Sequence, residues 1–415
     1  MDDVLFARGQ MAMSLAFHIV FAAIGVAMPL LTVLAEWRFR RTLDPDYLSL
    51  ARHWAKGTAV LFAVGAVSGT VLSFELGLLF PGFMRHAGPV IGMPFSLEGF
   101  AFFTEAIFLG LYLYGWEKLG PRTHLFAGAV VAASGAASAA FVTIANAWMN
   151  APRGFRVESA RFTDIDPIAA MGTPFAAHEI VHGTLAAYLA TGAAVAAIHA
   201  IGLLRNPQSG LHRKALGLAL ALSIPTALIQ PLTGHWAGHE IAKGQPAKLA
   251  AIEQLQRTQA RAPLTVGPFE IPWALSILAG NSPDTVVTGL EDIPRADRPP
   301  PLVRAFFQAM VFSGLILAGH AAWSAWIWMR RHPPSRRFLH ATALVGPLGF
   351  LGLEAGWVVT EVGRQPWVIY GVLRTADSVT PMRGLVVPFI AVSVVYVLLS
   401  VVVIEILRRQ FREAQ

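Results

Sequence analysis

Nine separate stretches of mostly apolar residues recur along the chain, and they limit its possible folds more than any other feature. Each has the length of about 20 residues that crosses roughly 30 Å of hydrocarbon at a helical rise of 1.5 Å per residue. Inside a bilayer, backbone groups must find their partners within the segment, which favours helices over open sheets. The sequence therefore predicts an all-α polytopic membrane protein. The predicted spans are residues 11–36, 56–80, 95–117, 124–149, 175–203, 214–237, 303–329, 339–361 and 385–407.

Composition agrees with a bilayer location. Of the 415 residues, 55% are hydrophobic and only 14% are charged, and the mean hydropathy of +0.54 exceeds that of ordinary soluble domains. Alternate short connections hold 17 of the 32 Lys and Arg residues. Because short basic connections stay in the cytoplasm, this bias predicts a cytoplasmic C-terminus and an N-terminus outside. The same asymmetry accounts for the net charge of +7, so we infer no nucleic-acid-binding patch.

The longest connection between predicted spans covers residues 238–302 and is expected outside the membrane. A connection of this length is usually functional or disordered. Its segment KLAAIEQLQRTQ, which starts at Lys248, has helical periodicity, and the remainder is expected to be loop. The sequence shows no separate soluble domain or internal repeat. Residues 1–415 are therefore predicted to form a single membrane domain that contains this connection.

The absence of cysteine restricts the available metal chemistry. Disulfides, thiolate metal sites and iron–sulfur clusters are excluded, so any metal must be bound by His, Met or carboxylate. The first span carries ionisable residues and has no small-residue cleavage site after a basic start. It is therefore expected to be a retained helix rather than a signal peptide.

Six carboxylates fall inside the predicted spans, where each costs about 3 kcal/mol on insertion scales. Any one of them could be a protonated Glu that forms an interhelical hydrogen bond, but the set favours a proton path or a cofactor site. Glu98 and Glu105 are seven residues apart, which places them on nearly the same helix face about 10 Å apart. That spacing is typical of a proton relay. The six are Glu75, Glu98, Glu105, Glu179, Glu354 and Glu361.

Histidines within the spans leave several interpretations open. His18 and Met310, taken alone, are compatible with ordinary core residues. HEIVH, residues 178–182, matches the zinc-protease pattern in which two histidines one turn apart share a helix face. No convincing third zinc ligand follows in the sequence, and His235 and His239 repeat the same spacing. An intramembrane zinc protease is therefore kept only as a minor alternative.

Several longer motifs, taken together, resemble the cytochrome bd oxidase family, subunit I. The first is GWVVTEVGRQPW at residues 356–367, in which GRQPW follows Glu361. The others occur in the order of the family along the whole chain, which makes chance similarity implausible. They are RGQ before His18, SLEGFAFFTEAIFLGLYLYGW around Glu98 and Glu105, ANAWMNAP around Asn146, IVHG at His182, and QPAKLAAIE in the long connection.

The resemblance implies a haem-containing quinol oxidase that reduces oxygen to water. His182 and Met310 would be the axial ligands of a low-spin haem b, and His18 and Glu361 would each hold one high-spin haem. One of those is a haem b and the other a haem d or a third haem b. Arg364 would pair with haem propionates or carboxylates, and Lys248 and Glu253 would bind the quinol. Glu98 and Glu105 would carry protons, and a membrane subunit II would be the partner in a bacterial cell (inner) membrane.

Two features depart from the best-known members of that family. Gln308 stands where they carry Arg two residues before the ligating Met, so one charge near the low-spin haem is missing. The seven-residue spacing of Glu98 and Glu105 resembles that of the cyanide-insensitive subgroup. The long connection also resembles that subgroup, because it is of the shorter of the two lengths found in the family. The sequence leaves open which high-spin haem each ligand holds. A proton-coupled membrane transporter is the alternative of a different class, since it could also use buried carboxylates.

Overall fold

The computed structural model describes residues 3–159 and 161–413, and nine helical segments in that part of the chain are long and apolar enough to cross a membrane. The all-α prediction with nine spans is confirmed. The helices are α1 (Asp3–Thr42), α2 (Pro45–Leu79), α3 (Pro81–Tyr114), α4 (Pro121–Asn150), α5 (Pro167–Met171), α6 (Ala176–Arg205), α7 (Gly210–Gly244), α8 (Pro246–Glu253), α9 (Ala274–Gly280), α10 (Leu302–Met329), α11 (Arg336–Val345), α12 (Leu348–Val362), α13 (Thr375–Ser378) and α14 (Val386–Glu413).

Most spans are longer than their apolar centres, because polar residues continue the helical hydrogen bonding at both ends. Helix α1 begins at Asp3 rather than at residue 11, and α7 continues to Gly244 rather than residue 237. Proline occupies an early position of α2, where Asp44 caps the helix by accepting from Asp46 N at 3.1 Å. The eighth predicted span is two helices, α11 and α12, which meet at Pro347. Proline has no backbone N–H to continue the helical ladder, which accounts for the break.

The spanning helices pack mainly as sequential pairs, α1 with α2, α3 with α4, and α6 with α7, and α10 packs against α12. Helix α1 also contacts α4, α6 and α14, so it lies near the centre of the bundle. The largest core cluster alternates small residues such as Ala35 and Ala200 with large ones such as Leu31 and Phe338. Small residues allow close approach of helix backbones in a membrane.

One face of the bundle, here called the loop face, carries the long connection and three short antiparallel hairpins. The ends of α4 and α12 meet there, because Tyr370 N donates to Met149 O at 2.9 Å. The strands are β1 (Arg156–Glu158), β2 (Arg161–Thr163), β3 (Leu264–Val266), β4 (Phe269–Ile271), β5 (Trp367–Ile369) and β6 (Leu373–Arg374), paired β1–β2, β3–β4 and β5–β6.

The long connection covers residues 245–301 and is more ordered than its composition indicates. The predicted helix from Lys248 is confirmed as far as Glu253, where α8 ends with Gln254 in the left-handed region at φ 55°. The predicted continuation through Gln259 is wrong. The expectation that the rest is loop is also wrong, since it includes the β3–β4 hairpin and α9.

Candidate functional site

His182 is held on α6 by a hydroxyl on α7 in a way that suits metal ligation. Its Nδ1 lies 2.9 Å from Thr233 Oγ1, and that hydroxyl donates to Gln230 O at 3.0 Å. Thr233 therefore accepts the imidazole N–H, and Nε2 is left with its lone pair. The Gln230 amide nitrogen lies 3.3 Å from both ring nitrogens and donates to His182 O at 3.1 Å, so it would have to move away from Nε2 for a metal to bind there. A metal-binding histidine is typically oriented in this manner through its other ring nitrogen.

Met310 on α10 faces a glycine on α12. A Cβ at Gly356 would lie only 3.1 Å from the Met310 sulfur, which is closer than almost all real contacts of that kind. The absence of a side chain at Gly356 therefore leaves the thioether room to turn. Because α10 and α12 pack along their length, this space lies between two spans.

His18 on α1 has the same arrangement of hydroxyl and glycine on α2. Its Nδ1 lies 2.9 Å from Ser68 Oγ, which donates to Val64 O at 2.9 Å. A Cβ at Gly69 would lie 3.0 Å from His18 Cε1. One ring nitrogen is thus fixed by a hydroxyl acceptor, and the other is available as a ligand.

A group of polar side chains fills the loop-face ends of α4, α6, α8 and α12. Glu361 accepts at one oxygen from Asn146 and at the other from Arg364 Nη2 at 2.5 Å. Lys248 Nζ donates to Asn150 Oδ1 at 3.0 Å and to Thr360 O at 3.3 Å. We call this group the loop-face cluster. It consists of Asn146, Asn150, Glu179, Lys248, Glu361 and Arg364, with Asn150 Nδ2 donating to Glu179 Oε1 at 3.2 Å.

Arg364 has donors that the described residues do not satisfy. The side chain is 1% exposed, and its Nε and Nη1 have no hydrogen-bond partner among residues 3–159 and 161–413. A buried guanidinium with free donors fits a planar carboxylate, which it binds in a bidentate manner. The residues present therefore fit a haem whose propionates reach the loop-face cluster.

The structure does not bring Lys248 and Glu253 together, although they share helix α8. Lys248 points into the loop-face cluster, whereas Glu253 Oε2 accepts from Thr265 N at 2.9 Å in β3. Burial raises the pKa of the Glu253 carboxyl, and the Thr265 N–H and the charge of Arg304 act in the opposite direction. Burial and the nearby charge of Arg364 lower the pKa of the Lys248 amine.

Gln308 on α10 binds the β3–β4 hairpin at two points. Its Nε2 donates to Thr265 O at 2.8 Å, and its Oε1 accepts from Gly267 N at 2.8 Å. Gly267 lies in the left-handed region at φ 60°, and a Cβ there would lie 2.7 Å from the Phe312 ring. The hairpin is therefore fixed on α10 directly beside Glu253.

Glu98 and Glu105 both face α4. Ser138 Oγ donates to Glu98 Oε1 at 3.2 Å, and a Cβ at Gly135 would lie 3.2 Å from both oxygens of Glu105. Glycine at 135 thus leaves space for the Glu105 carboxyl. The two carboxyls lie along one interface between two helices, which is compatible with a proton path.

A third polar group on that face of α3 was not among the predicted site residues. Tyr112 lies seven residues beyond Glu105 on α3. Its carbonyl oxygen is 2.9 Å from His124 Nε2, and His124 Nδ1 in turn lies 2.9 Å from Glu36 Oε1. Arg40 Nε also donates to that oxygen at 2.7 Å. Glu36 was overlooked because it ends the predicted first span, where a charged residue is expected to face water. For Tyr112, the continuation of the seven-residue spacing from Glu98 and Glu105 was the available signal.

The remaining buried carboxylates have different surroundings. Glu75 Oε1 accepts from Gln10 Nε2 at 2.8 Å and from Ser14 Oγ at 2.9 Å, which is an interhelical hydrogen-bonding role. Glu354 Oε1 has no partner among the described residues.

The zinc-protease alternative receives no support from the geometry. In the described part of the chain, no group of three or more His, Asp or Glu side chains is placed to hold a metal ion. His178 and His182 therefore lack the third protein ligand that a catalytic zinc site requires.

Comparison with known proteins gives one consistent result. The profile of the family described as cytochrome bd terminal oxidase subunit I matches residues 6–415. A Bacillus subtilis protein, provisionally named cytochrome bd menaquinol oxidase subunit I, is 37% identical over 100% of this chain and 97% of its own length. The Escherichia coli cytochrome bd-II ubiquinol oxidase subunit 1 is 25% identical over 91% of this chain and 90% of its own length. The structure of the bd oxidase from Geobacillus thermodenitrificans superposes with a TM-score of 0.93 at 38% identity, covering 99% of each chain.

Proposed function

Because the chain belongs to the cytochrome bd terminal oxidase subunit I family, we infer that it oxidises a membrane quinol and reduces oxygen to water. The match extends over nearly the full chain, so the inference does not depend on one motif. The observation that carries it is that the ligand side chains implied by the family pattern occur here with their supporting groups. His18 and His182 each have a hydroxyl partner, and Met310 has a facing glycine.

Haem supplies one-electron transfer and oxygen chemistry when it is bound. We propose that His182 and Met310 would together hold a low-spin haem b that serves electron transfer. His18 and Glu361 would each hold one high-spin haem, which would supply the oxygen chemistry. Those two haems are a haem b and either a haem d or a third haem b. Arg364 would bind a propionate of one of these haems.

The quinol site is proposed at α8, beneath the β3–β4 hairpin. We propose that the Glu253 carboxyl accepts a proton from the quinol hydroxyl, and burial, which raises the pKa of this carboxyl, favours proton uptake. Lys248 lies in the loop-face cluster, close to Glu361 and Arg364, and its charge orients the headgroup from the inner side. Since both side chains are buried, the headgroup has to enter the protein to reach them.

Proton delivery is assigned to the α3–α4 interface. Glu98 and Glu105 pass protons toward the oxygen site from the face opposite the loop face, and the distribution of basic residues predicts that this face is cytoplasmic. The N-terminus is then outside and the C-terminus cytoplasmic. Quinol protons leave on the outer side, so charge separates without a pump. A membrane subunit II completes the enzyme in a bacterial inner membrane.

A visible spectrum of the purified complex tests this function. The reduced-minus-oxidised spectrum should show low-spin haem bands, and His182→Ala should abolish them. A transporter or a zinc protease would purify without haem absorbance. Low-spin bands of full intensity in His182→Ala would refute the ligand assignment.

The quinol assignment is tested separately. Replacing Lys248 and Glu253 together by Ala should sharply reduce quinol oxidation while all haem bands persist. Unchanged quinol turnover in this double variant would place the quinol site elsewhere.

A further inference from the structure

The first histidine of the HEIVH motif has no role in the proposed function, yet it is unusually placed. His178 is 2% exposed, and neither Nδ1 nor Nε2 has a hydrogen-bond partner among the described residues. An imidazole always carries at least one N–H donor. Burial of such a donor without an acceptor is costly, so the side chain requires a hydrogen-bond acceptor that the described residues do not supply.

The surroundings of His178 include two aromatic rings and the Lys248 amine. The Phe175 ring centroid lies 4.9 Å away and that of Trp236 lies 6.1 Å away, both edge-on. The Lys248 amine is close enough for its charge to act on His178. A missing partner in this place is therefore expected to be an oxygen acceptor with negative charge.

The position of His178 on α6 connects it to the low-spin haem. It precedes His182 by four residues, so it lies on the same helix face about 6 Å closer to the loop face. Arg364, with two unsatisfied donors, and Lys248 lie in the loop-face cluster at that same end of the bundle. Three basic side chains, His178, Lys248 and Arg364, thus lie at the same end of the bundle, where they could receive the carboxylates of a haem.

We propose that His178 donates an N–H hydrogen bond to a propionate of the haem that His182 and Met310 ligate. The proposal rests on that ligand assignment. A propionate is a carboxylate, so it satisfies the donor demand of His178 and part of that of Arg364 at once. His178 is therefore a positioning residue for the haem, and the zinc-like spacing of HEIVH arises from two histidines serving one cofactor.

A donor at the propionate changes the reduction equilibrium of the iron. The hydrogen bond draws negative charge away from the macrocycle and so favours the reduced state. Its removal should shift the equilibrium toward the oxidised haem by about tenfold, which corresponds to a fall in midpoint potential of about 59 mV for one electron.

Redox titration of the low-spin band in the purified holoenzyme tests the proposal. His178→Phe should lower the midpoint potential by this amount, and His178→Gln, which keeps an N–H donor, should stay near the wild-type value. His199→Phe is the matched control, because it replaces a buried histidine on the same helix about 30 Å away. An equal fall in midpoint potential in His178→Phe and His178→Gln would point to altered packing and would overturn the proposed hydrogen bond.

Two further results separate the possible failures. If His178→Phe does not assemble, the smaller His178→Ala, which also lacks the donor, takes its place. The propionate bending bands in resonance Raman spectra should then differ between wild type and His178→Ala, and identical bands in these two proteins would overturn the proposal. An unchanged potential combined with a raised KM for quinol would make His178 a quinol contact and also overturn it. Survival of the low-spin bands in His182→Ala would instead show that the ligand assignment had failed.

Discussion

At the residue scale, the candidate ligands were predictable from motifs, but the glycines that leave space for their side chains were not. His18, His182, Met310 and Glu361 were identified by their resemblance to a family pattern. The glycine that faces Met310 lies on another helix, 46 positions away in the chain, and nothing in the local sequence connects the two. Which glycines face a ligand depends on how the spans pack, and that information is tertiary.

Enlarging Gly356 should disturb the low-spin site selectively. In Gly356→Val the new side chain would press on the Met310 sulfur, and the overpacking penalty of about 1–3 kcal/mol should reduce sulfur ligation roughly tenfold. The measurement is binding of carbon monoxide to the low-spin haem, which requires a vacated axial position. Gly314→Val is the control, since a Cβ there meets nothing within 4 Å. Equal carbon monoxide binding in both variants would contradict the assignment of Met310.

Replacing Glu105 by Gln should slow proton delivery without loss of haem. Gln preserves the size of the side chain beside Gly135 but carries no exchangeable acidic proton. Oxygen reduction and membrane-potential generation should fall by about a hundredfold, the lower end of the range for removing a proton-transfer group. Electron entry from quinol to the low-spin haem should stay close to normal in single-turnover measurements. Glu75→Gln is the comparison, because Glu75 has hydrogen-bonding partners of its own. Wild-type turnover in Glu105→Gln would make Glu105 a structural hydrogen-bonding group.

At the scale of elements, the apolar lengths predicted the spans well and the polar connection poorly. Periodicity located the start of α8 but not its end, because the left-handed turn at Gln254 depends on the packing that follows. The β3–β4 hairpin has strands of only three residues each. Strands this short give too little alternation to be recognised, and here Gln308 and Glu253 hold the first strand through contacts from distant helices.

Releasing the hairpin should weaken quinol binding. Gln308→Leu removes two hydrogen bonds to Thr265 and Gly267, and at about 1 kcal/mol each this should raise the quinol KM by roughly tenfold or more. Haem bands should not change. Gln256→Leu, which alters an exposed glutamine in the same connection, is the control. A quinol KM that is the same in both variants would show that the hairpin does not shape the quinol site.

At the scale of the whole molecule, the number of spans and the family could both be predicted, whereas the relations between distant polar groups could not. Glu36 and His124 are 88 positions apart and lie in direct contact. Hydropathy treats each helix separately, so it identifies neither such pairs nor the loop-face cluster. For that cluster, the carboxylates inside the predicted spans indicated Glu179 and Glu361, and the family motifs indicated the other members.

The direction of insertion can be measured with little background, because the chain has no cysteine. Glu270→Cys places a thiol on the loop face and Gln208→Cys places one on the opposite face, and both positions are exposed. If the loop face is outside, a membrane-impermeant maleimide should label Glu270→Cys in intact spheroplasts. Gln208→Cys should react only after lysis. The reverse pattern would invert the proposed topology.

The unsatisfied donors of Arg364 and His178 have a consequence for biogenesis. A chain without cofactor buries polar groups that it cannot pair, whereas a ligand that binds only the folded state adds its binding free energy to stability. Newly made protein should therefore be degraded more readily by proteases in cells starved of haem. Pulse-chase labelling in a haem auxotroph should show a half-life several-fold shorter without haem precursor than with it. Haem supply would then set the abundance of the polypeptide in the membrane as well as its colour.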